Sequence, residues 1–328
     1  MTEIEKEYYR RLALQEEYGG TNKPVNKIIP LVSVVTITYQ HAPYIRQCLD
    51  GILMQETDFP YEIIIGEDGS TDGTREICIE YANKYPDKIR LFLRDRKLTQ
   101  YVTKDGRTIR FNGHFARAAA RGRYVAMCEG DDYWIEINKL EMQTDIMSRY
   151  PGISMVFSNA ALLIGQHYDS RLFNDLKKSG VVGLDKIVMK WIIPTSSILY
   201  RRLLEDASTI SRSLQFSIPN FDQLLALKMY LCGKLYFVNQ ILCVYRKHDG
   251  GLSESFTNVN NIEFLQTQVF LYTRILKYFP MIEKRIIARK ILQLHVSMIE
   301  VFLRRTVLFK PLLKIKRKIS YPFIKDLL

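Results

Sequence analysis

The chain has 328 residues, of which 47% are hydrophobic and 25% are charged, and these values are ordinary for a globular protein. This length allows one large α/β domain with appended elements, or two modest domains. The composition excludes a largely disordered chain, and no run approaches 18 uninterrupted apolar residues, so we expect no membrane span.

The excess positive charge lies at the end of the chain. From residue 274 onward there are 14 Lys and Arg against three acids, which supplies +11 of the net charge of +12. Residues 310–325, KPLLKIKRKISYPFIK, mix these cations with Leu, Ile, Phe and Tyr, a composition that suits an anionic membrane surface. The alternative is a solvated helical face that packs on the rest of the chain. Nucleic acid is not an expected partner, because no zinc finger, helix-turn-helix or aromatic RNA-binding signature is present.

The cysteines and the N-terminal residues indicate the cellular compartment in which the protein is expected. Five scattered cysteines without a C-x-x-C spacing are typical of free thiols in a reducing environment. Residues 1–20 are charged and lack the apolar core of a signal peptide. We therefore expect a cytoplasmic protein, with peripheral contact to the inner face of the cytoplasmic membrane through the basic end.

The predicted elements follow a βαβαβ order. A polar helix at residues 3–18 and a linker with two prolines precede the first β-branched apolar run, at residues 31–38. Further strands and helices are then predicted in turn: helix 44–55, strand 61–66, helix 74–85, strand 89–93, helix 115–120, strand 123–128, helix 138–150 and strand 153–163. This order implies parallel strands with right-handed crossovers. Residues 262–308 have a helical pattern with basic residues on the polar face.

Three polar clusters follow predicted strands. Residues 38–41, TYQH, follow the first strand, residues 67–74, EDGSTDGT, follow the second, and residues 129–132, EGDD, follow the strand at 123–128. Ligands bind at the carboxyl ends of the strands in open α/β sheets. The predicted order therefore brings all three clusters to one edge.

The second cluster has two interpretations. Asp72 or Thr74 can cap the helix that follows, which accounts for the turn. A cap does not account for Glu67 and Asp68, which come directly after a buried strand. An acid at that position can accept hydrogen bonds from a ribose or from the edge of a base, so we predict a ligand contact for Asp68.

The third cluster places Glu129, Asp131 and Asp132 within four residues, where their charges repel. A divalent cation between them would make this repulsion tolerable, and Mg²⁺ or Mn²⁺ prefers carboxylate and phosphate oxygens. A solvated acidic turn is the alternative. The neighbouring Tyr133 and Trp134 favour a partly buried position, where unpaired acids are costly. The sequence therefore predicts a metal site.

Three segments in this order and spacing resemble family 2 glycosyltransferases. They are VSVVTITYQ at 32–40, EIIIGEDGSTDGT at 62–74 and GRYVAMCEGDDYW at 122–134. The resemblance is clear over about residues 31–140 and weaker to about residue 253. It implies an α/β fold of the GT-A type, with a Rossmann-like, mostly parallel sheet flanked by helices. We expect an N-terminal helix and linker at 1–29, a catalytic domain at 30–253 and a helical basic C-terminal region at 254–328.

The resemblance also implies roles for residues on the donor side. Thr38 and Tyr39 would line the nucleotide pocket, and Asp68 with Glu67 would bind the base or the ribose. Asp131 would coordinate the metal that bridges the two phosphates, as the last acid of a D-x-D-type motif.

Other predicted donor contacts surround this aspartate. Asp132 would support the metal or contact the donor sugar, and Glu129 stands where many relatives have Asp. The segment YRKHDGGLS at 245–253 resembles the loop that closes over the diphosphate, where Arg246 and His248 would meet phosphate or metal.

The expected catalytic base lies in the second half of the chain. The segment NFDQLL at 220–225 resembles the family's pattern of a carboxylate near the start of a helix, which indicates Asp222. The alternative is an Asp that caps the helix.

The resemblance implies an inverting transferase that moves a sugar from a nucleotide-diphosphate donor to a hydroxyl of a saccharide or lipid-linked saccharide. Mn²⁺ or Mg²⁺ would be the cofactor, and surface polysaccharide or glycolipid synthesis would be the setting. A nucleotidyltransferase is one alternative, although it usually carries a Gly-rich basic loop after the first strand, which residues 38–41 lack. A non-catalytic nucleotide-sugar-binding protein is the other, if Asp222 faces away from the cleft.

Overall fold

A computed structural model describes residues 1–104, 106, 108–202, 216, 221–248 and 262–305. The chain divides into two compact units, Met1–His248 and Asp249–Leu328. Three features of the sequence analysis lie outside the described residues: the end of the diphosphate-loop motif at 249–253, the domain boundary after residue 253 and the basic segment 310–325. The predicted domain boundaries therefore stay predictions.

The first unit is built on a sheet that has ten strands among the described residues, beside a two-stranded hairpin. The strands are β1 Val32–Thr38, β2 Tyr61–Glu67, β3 Ile89–Leu93, β4 Gln100–Val102, β5 Thr108–Arg110, β6 Tyr124–Met127, β7 Tyr133–Trp134, β8 Ile153–Ile164, β9 His167–Leu172, β10 Gly180–Val182, β11 Leu199–Arg201 and β12 Lys234–Lys247. The order in the large sheet is β10-β12-β8-β11-β6-β1-β2-β3, with β7 paired to β12 and β9 to β8, while β4 and β5 form the hairpin. The pairs β6–β1, β1–β2, β2–β3 and β8–β12 are parallel.

Eight α-helices of the first unit are described. They are α1 Glu3–Leu12, α2 Ile45–Leu53, α3 Thr74–Lys84, α4 Arg96–Thr99, α5 Asn112–Ala118, α6 Lys139–Arg149, α7 Leu184–Met189 and α8 Phe221–Cys232. Short 3₁₀ turns lie at Pro24–Lys27 and Thr195–Ser197.

Both faces of the sheet are covered by helices, and this explains the continuous apolar runs of β1 and β2. Val34 packs in one core cluster with Ile45 of α2, whereas its neighbour Val35 packs in a second cluster with Leu225 of α8. Successive side chains of a strand point to opposite faces, so a strand buried on both sides needs apolar residues at every position. The predicted mostly parallel α/β sheet is confirmed.

The N-terminal helix is shorter than the predicted 3–18, because α1 ends at Leu12. Tertiary contacts hold the residues that follow it. The N–H of Tyr18 donates to the carbonyl of Leu91 at 2.8 Å, and Glu17 forms an ion pair with Arg90 at 2.8 Å. These contacts along β3 outweigh the local helical pattern.

The second unit, as far as it is described, contains α9 Ile262–Ile275, a 3₁₀ turn at Leu276–Tyr278 and α10 Met281–Arg305. The two helices pack on each other. Their buried apolar side chains include Leu265, Leu271 and Ile275 of α9 and Ile287, Leu294 and Val301 of α10. In the described ranges, no helix combines the length and the apolar character that crossing a bilayer requires.

Candidate functional site

The end of β1 is the point where the three polar clusters meet. The carbonyl of Ile37 accepts a hydrogen bond from the N–H of Gly130, and the carbonyl of Thr38 accepts one from the N–H of Asp68, both at 3.0 Å. The loop after β6 and the loop after β2 therefore lie on either side of Thr38. The predicted convergence at one sheet edge is confirmed.

Gly130 allows the acidic loop at 129–132 to come this close. A Cβ at residue 130 would lie 2.7 Å from the Thr38 hydroxyl oxygen and 2.9 Å from Nδ1 of His41. Both distances are shorter than ordinary contacts of a Cβ atom. The loop can keep its place only with glycine here.

We expect Gly130→Ala to destabilise the protein by about 1–3 kcal/mol, since a methyl group forced into a packed site displaces its neighbours. Thermal unfolding of the variant, compared with wild type, measures this loss. Gly152→Ala is the matched control, because a Cβ at Gly152 has no atom within 4 Å. Equal melting temperatures for the two variants would contradict the tight contact.

The acids of the β2–α3 loop have different surroundings. Glu67 is fully buried and braces its own loop, because Oε1 accepts from the N–H of Ser70 at 2.6 Å and Oε2 lies 3.1 Å from Nη1 of Arg75. Asp68 accepts from the hydroxyl of Thr99 and lies 3.6 Å from Arg96, and burial raises its pKa. Asp68 is therefore the acid that sits on the β3 side of this loop.

Tyr39 lies beside this group and is 38% exposed. The guanidinium carbon of Arg96 sits 3.5 Å from the centroid of the Tyr39 ring. The hydroxyl of Thr38 is buried and has no hydrogen-bond partner among the described residues. The predicted nucleotide-contacting residues Thr38, Tyr39 and Asp68 thus lie together at the ends of β1 and β2, and Tyr39 is the exposed member of the three.

Asp131 has two histidines beside it. Its Oδ2 lies 3.1 Å from Nε2 of His248 and 3.9 Å from Nε2 of His41. One candidate ligand atom from each of the three side chains falls within 4.8 Å of the others. Burial raises the pKa of Asp131, but the hydrogen bond from His248 and the nearby His41 outweigh burial, so the net pKa is lowered. A charged carboxylate and two imidazoles are therefore gathered at one point.

His41 keeps a neutral ring more readily than a free histidine. Burial lowers its pKa, and this effect exceeds the opposing influence of the Asp131 charge. A neutral imidazole is the form that can coordinate a metal.

Asp132 and Arg246 fasten the acidic loop to β12. Asp132 is buried, and its Oδ1 accepts from the backbone N–H of Arg246 at 2.9 Å. The guanidinium of Arg246 donates to the carbonyl of Asp131 at 2.5 Å and to Gln47. Burial and the charge of Asp131 raise the pKa of Asp132 well above its usual range. Both predicted donor-binding residues thus also have a clear role in holding the loop.

Glu129 of the acidic loop is influenced by the charge of Asp222. Burial, followed by the charges of Asp131, Asp132 and Asp222, raises the pKa of Glu129 well above its ordinary value. Asp222 is therefore close enough to share an electrostatic environment with the acidic loop. Glu129 contributes no atom to the ligand group of His41, Asp131 and His248.

Asp222 lies in the first turn of α8, which begins at Phe221. It accepts from the N–H of its neighbour Gln223 at 2.9 Å and from the hydroxyl of Thr195 at 3.3 Å. An N-cap side chain would instead accept from an N–H two or three residues further on. Burial raises the pKa of Asp222. Asp222 thus accepts from one N–H of the first turn of α8 and is also held by Thr195, and its assignment as the base stays a prediction.

Three residues of this edge were not assigned from the sequence. His41 belongs to the polar cluster after β1, so its position was a usable signal. Arg96 follows β3 at the same edge, which is a weaker signal. Thr195 lies in the turn Thr195–Ser197, and nothing in the local sequence connects it with Asp222.

Comparison with known proteins agrees with this geometry. Residues 33–160 match the family model of glycosyl transferase family 2. An uncharacterized protein of Mycobacterium tuberculosis is 31% identical over 224 residues, which are 68% of this chain and 61% of that protein. The putative teichuronic acid biosynthesis glycosyltransferase TuaG of Bacillus subtilis is 36% identical over 118 residues, 36% of this chain and 42% of TuaG. The chain therefore spans about three-fifths of the length of its mycobacterial relative.

Two solved structures have a similar fold. S. aureus TarS 1–349, crystallised in complex with UDP-GlcNAc, superposes with a TM-score of 0.60 at 20% identity, covering 81% of this chain and 72% of that one. The mannosyltransferase PcManGT from Pyrobaculum calidifontis, in complex with GDP-Man and Mn²⁺, gives 0.54 at 16% identity over 97% of this chain and 88% of that one. With the sheet order and the acidic loop in agreement, the chain has the GT-A fold, and its residues 33–160 match glycosyl transferase family 2.

Proposed function

We propose that the protein transfers a sugar from a nucleoside-diphosphate donor to an acceptor hydroxyl, with inversion at the anomeric carbon and with a divalent cation. One arrangement carries this proposal: Asp131 and His248 lie 3.1 Å apart at the carboxyl edge of a parallel sheet, and the charge of Asp222 acts on Glu129 in the same acidic loop. Metal-binding and proton-accepting groups are then available to the same donor.

The cation would be held by Asp131 and His248. The residues fit a divalent ion, because an ionised carboxylate and a ring nitrogen lie 3.1 Å apart. When bound, such an ion neutralises the charge that develops on a departing diphosphate. Arg246, through the carbonyl of Asp131, and Asp132, through the backbone of Arg246, keep the metal-binding aspartate in place.

Asp222 would act as the general base. Its carboxylate takes the proton of the acceptor hydroxyl while that oxygen attacks the anomeric carbon, and the bond from this carbon to the diphosphate oxygen breaks on the opposite side. One displacement inverts the anomeric centre without a covalent enzyme intermediate. The raised pKa of Asp222 makes it a stronger base than an exposed aspartate. Thr195 orients the carboxylate through its hydroxyl.

The nucleotide would lie over Thr38, Tyr39 and Asp68. Tyr39 offers an exposed ring for stacking, and Asp68 offers a carboxylate for a base or ribose donor group. Glu67 supports the loop. The structures of TarS with UDP-GlcNAc and of PcManGT with GDP-Man support this donor class. The name of TuaG supports a saccharide or lipid-linked saccharide acceptor in surface polysaccharide synthesis.

The test is incubation of the full chain with a panel of nucleotide sugars and candidate acceptors, with Mn²⁺ or Mg²⁺. We expect release of the free nucleoside diphosphate and a product whose anomeric configuration, read by NMR, is opposite to that of the donor. Release of pyrophosphate would instead indicate nucleotidyl transfer. Donor binding without turnover under every condition would indicate a non-catalytic binding protein.

The second unit has an exposed face that suits a membrane surface. Large apolar side chains on α10 are exposed, among them Ile282 at 78% and Ile299 at 58%. Arg285 and Arg289 are exposed at helical spacing between them, and a basic sequence follows the helix. We propose that this face of α10 lies on an anionic membrane surface, where cations and apolar side chains are both favoured.

Replacing Ile282 by Asp is expected to weaken binding to vesicles that contain phosphatidylglycerol by at least about threefold, because it removes buried apolar area and adds repulsion. Vesicle co-sedimentation measures the effect, and Gln293→Asp, an exposed position of the same helix, is the matched control for charge alone. Absence of wild-type binding to anionic vesicles would exclude the membrane surface, and concentration-dependent dimers in its place would assign the face to a second copy of the chain.

A further inference from the structure

A third side chain, that of His41, lies beside the predicted metal ligands Asp131 and His248. We propose that His41 is a ligand of the same cation, and that two imidazoles with one carboxylate select a first-row transition ion over Mg²⁺. This inference deepens the proposed function, on which it rests for the role of the ion.

The three side chains come from separate parts of the first unit. His41 follows β1, Asp131 follows β6 and His248 follows β12. Their ligand atoms lie within 4.8 Å of one another. Two ligands with bonds of about 2.0–2.2 Å to one metal lie at most about 4.4 Å apart. The group therefore needs to close by only a few tenths of an ångström.

The backbone around His41 holds its ring at the acidic loop. Gln40 adopts φ +56°, an unusual conformation for a residue other than glycine, and this turns the chain after β1. The N–H of His41 then donates to the hydroxyl of Thr74 at 2.8 Å, and the N–H of Ala42 donates to Asp72 at 3.0 Å. The missing side chain at Gly130 gives the ring its space. The position is thus fixed by several independent contacts.

The His41 ring has unused hydrogen-bonding capacity. Its Nδ1 is buried and has no hydrogen-bond partner among the described residues, while its Nε2 faces Asp131. A cation bound between the rings and the carboxylate would be held by Nε2, the nitrogen that faces Asp131, while Nδ1 lies against Gly130.

The chemistry of the three ligand atoms decides which ion the site prefers. Mg²⁺ favours oxygen ligands and keeps several waters, whereas imidazole nitrogen suits the transition ions, with affinity rising from Mn²⁺ through Co²⁺. A site with one carboxylate and two imidazoles should therefore bind Co²⁺, Zn²⁺ and Mn²⁺ more tightly than Mg²⁺. With three protein ligands, further coordination positions stay open for the donor.

The test measures ion binding directly, without donor or acceptor. The full chain is titrated with Co²⁺, whose visible absorption reports imidazole coordination, and Mn²⁺, Zn²⁺ and Mg²⁺ are then used as competitors. We expect the wild type to prefer all three transition ions to Mg²⁺. His41→Ala is expected to lower the Co²⁺ affinity at least about tenfold, the scale of losses when metal-site support is removed. The Mg²⁺ affinity should change much less.

Two further variants make the result specific. His167→Ala removes a histidine from the exposed hairpin strand β9 and should leave every ion affinity unchanged. His41→Glu replaces nitrogen by carboxylate oxygen and should move the preference toward Mg²⁺. Thermal unfolding without metal shows that each variant is folded.

Several outcomes would overturn the inference. Unchanged Co²⁺ affinity in a folded His41→Ala variant would show that His41 is not a ligand. Equal wild-type affinity for Mg²⁺ and Co²⁺ would show that the ion is not bound by two imidazoles and one carboxylate. If ions bind as expected but no nucleotide sugar is turned over, the inference stands and the proposed function fails. If transfer occurs while replacing His41 has no effect on ion binding, the proposed function stands and the inference fails.

Discussion

Replacing Asp222 by Asn is expected to lower the turnover of glycosyl transfer by about 10²–10⁴-fold, the usual contribution of a general base. Asn has the same shape: its carbonyl oxygen can still accept from the N–H of Gln223, and its amide NH2, at the place of the second carboxylate oxygen, can donate to the hydroxyl of Thr195. It cannot take the proton of the acceptor hydroxyl. Donor affinity, measured by calorimetry, should therefore stay close to that of the wild type.

Asp145→Asn is the matched control, because it makes the same chemical change on the exposed face of α6. That variant should keep full turnover and full donor affinity. Equal losses of turnover and of donor affinity in Asp222→Asn would assign Asp222 to binding or folding rather than to proton transfer.

The pH dependence of turnover gives an independent check on Asp222. Burial raises its pKa, so the carboxylate becomes protonated at a higher pH than an ordinary aspartate. A base must be deprotonated to act, and turnover should therefore fall as the pH drops through this raised pKa. In Asp222→Asn, the residual rate should lack this component of the acid limb. An acid limb of the same shape in both proteins would rule out Asp222 as its source.

The second large effect is expected at Asp131. Asp131→Asn removes the only carboxylate of the group with His41 and His248, and with it the negative charge that attracts a divalent cation. Metal assistance contributes several kcal/mol to the transition state, so turnover should fall by at least about a hundredfold. Ion titration and initial rates with saturating metal measure the two losses separately.

Asp132→Asn is a sharp control for this experiment, since it lies next in the sequence. Its Oδ1 accepts from the backbone of Arg246, and the Asn oxygen can make the same bond. Ion affinity should therefore change little. If the ion affinity falls equally in both variants, the two acids share the metal and the assignment to Asp131 alone is wrong.

The strands and the sheet edge could be predicted from the sequence, because they rest on local patterns. β1 and β2 are continuous apolar runs whose bounds agree with the predicted strands to within one residue. Parallel strands place their carboxyl ends together, so the clusters at Thr38, Asp68 and Asp131 had to meet. The hydrogen bonds from Gly130 and Asp68 to the end of β1 confirm this convergence.

The separate contacts of each acid in the EGDD segment could not be predicted from the sequence. Asp131 faces two histidines, Asp132 is taken up by the backbone of Arg246, and Glu129 faces the charge of Asp222. Neighbouring residues in a loop point in directions set by backbone angles and by distant partners. His248 is 117 residues away from Asp131 along the chain, so no local pattern reports their contact.

What the sequence by itself determined is the resemblance to family 2 glycosyltransferases, the parallel sheet and the edge at which its acids gather, since apolar periodicity and strand order are local properties that fix which loops become neighbours. Only the tertiary structure decided that His41 joins Asp131 and that Thr195 holds Asp222. Those contacts depend on the turn at Gln40, on the space at Gly130 and on the packing of α8 beside the turn Thr195–Ser197. Each of these is a long-range fit between segments, and it exists only once the chain has folded.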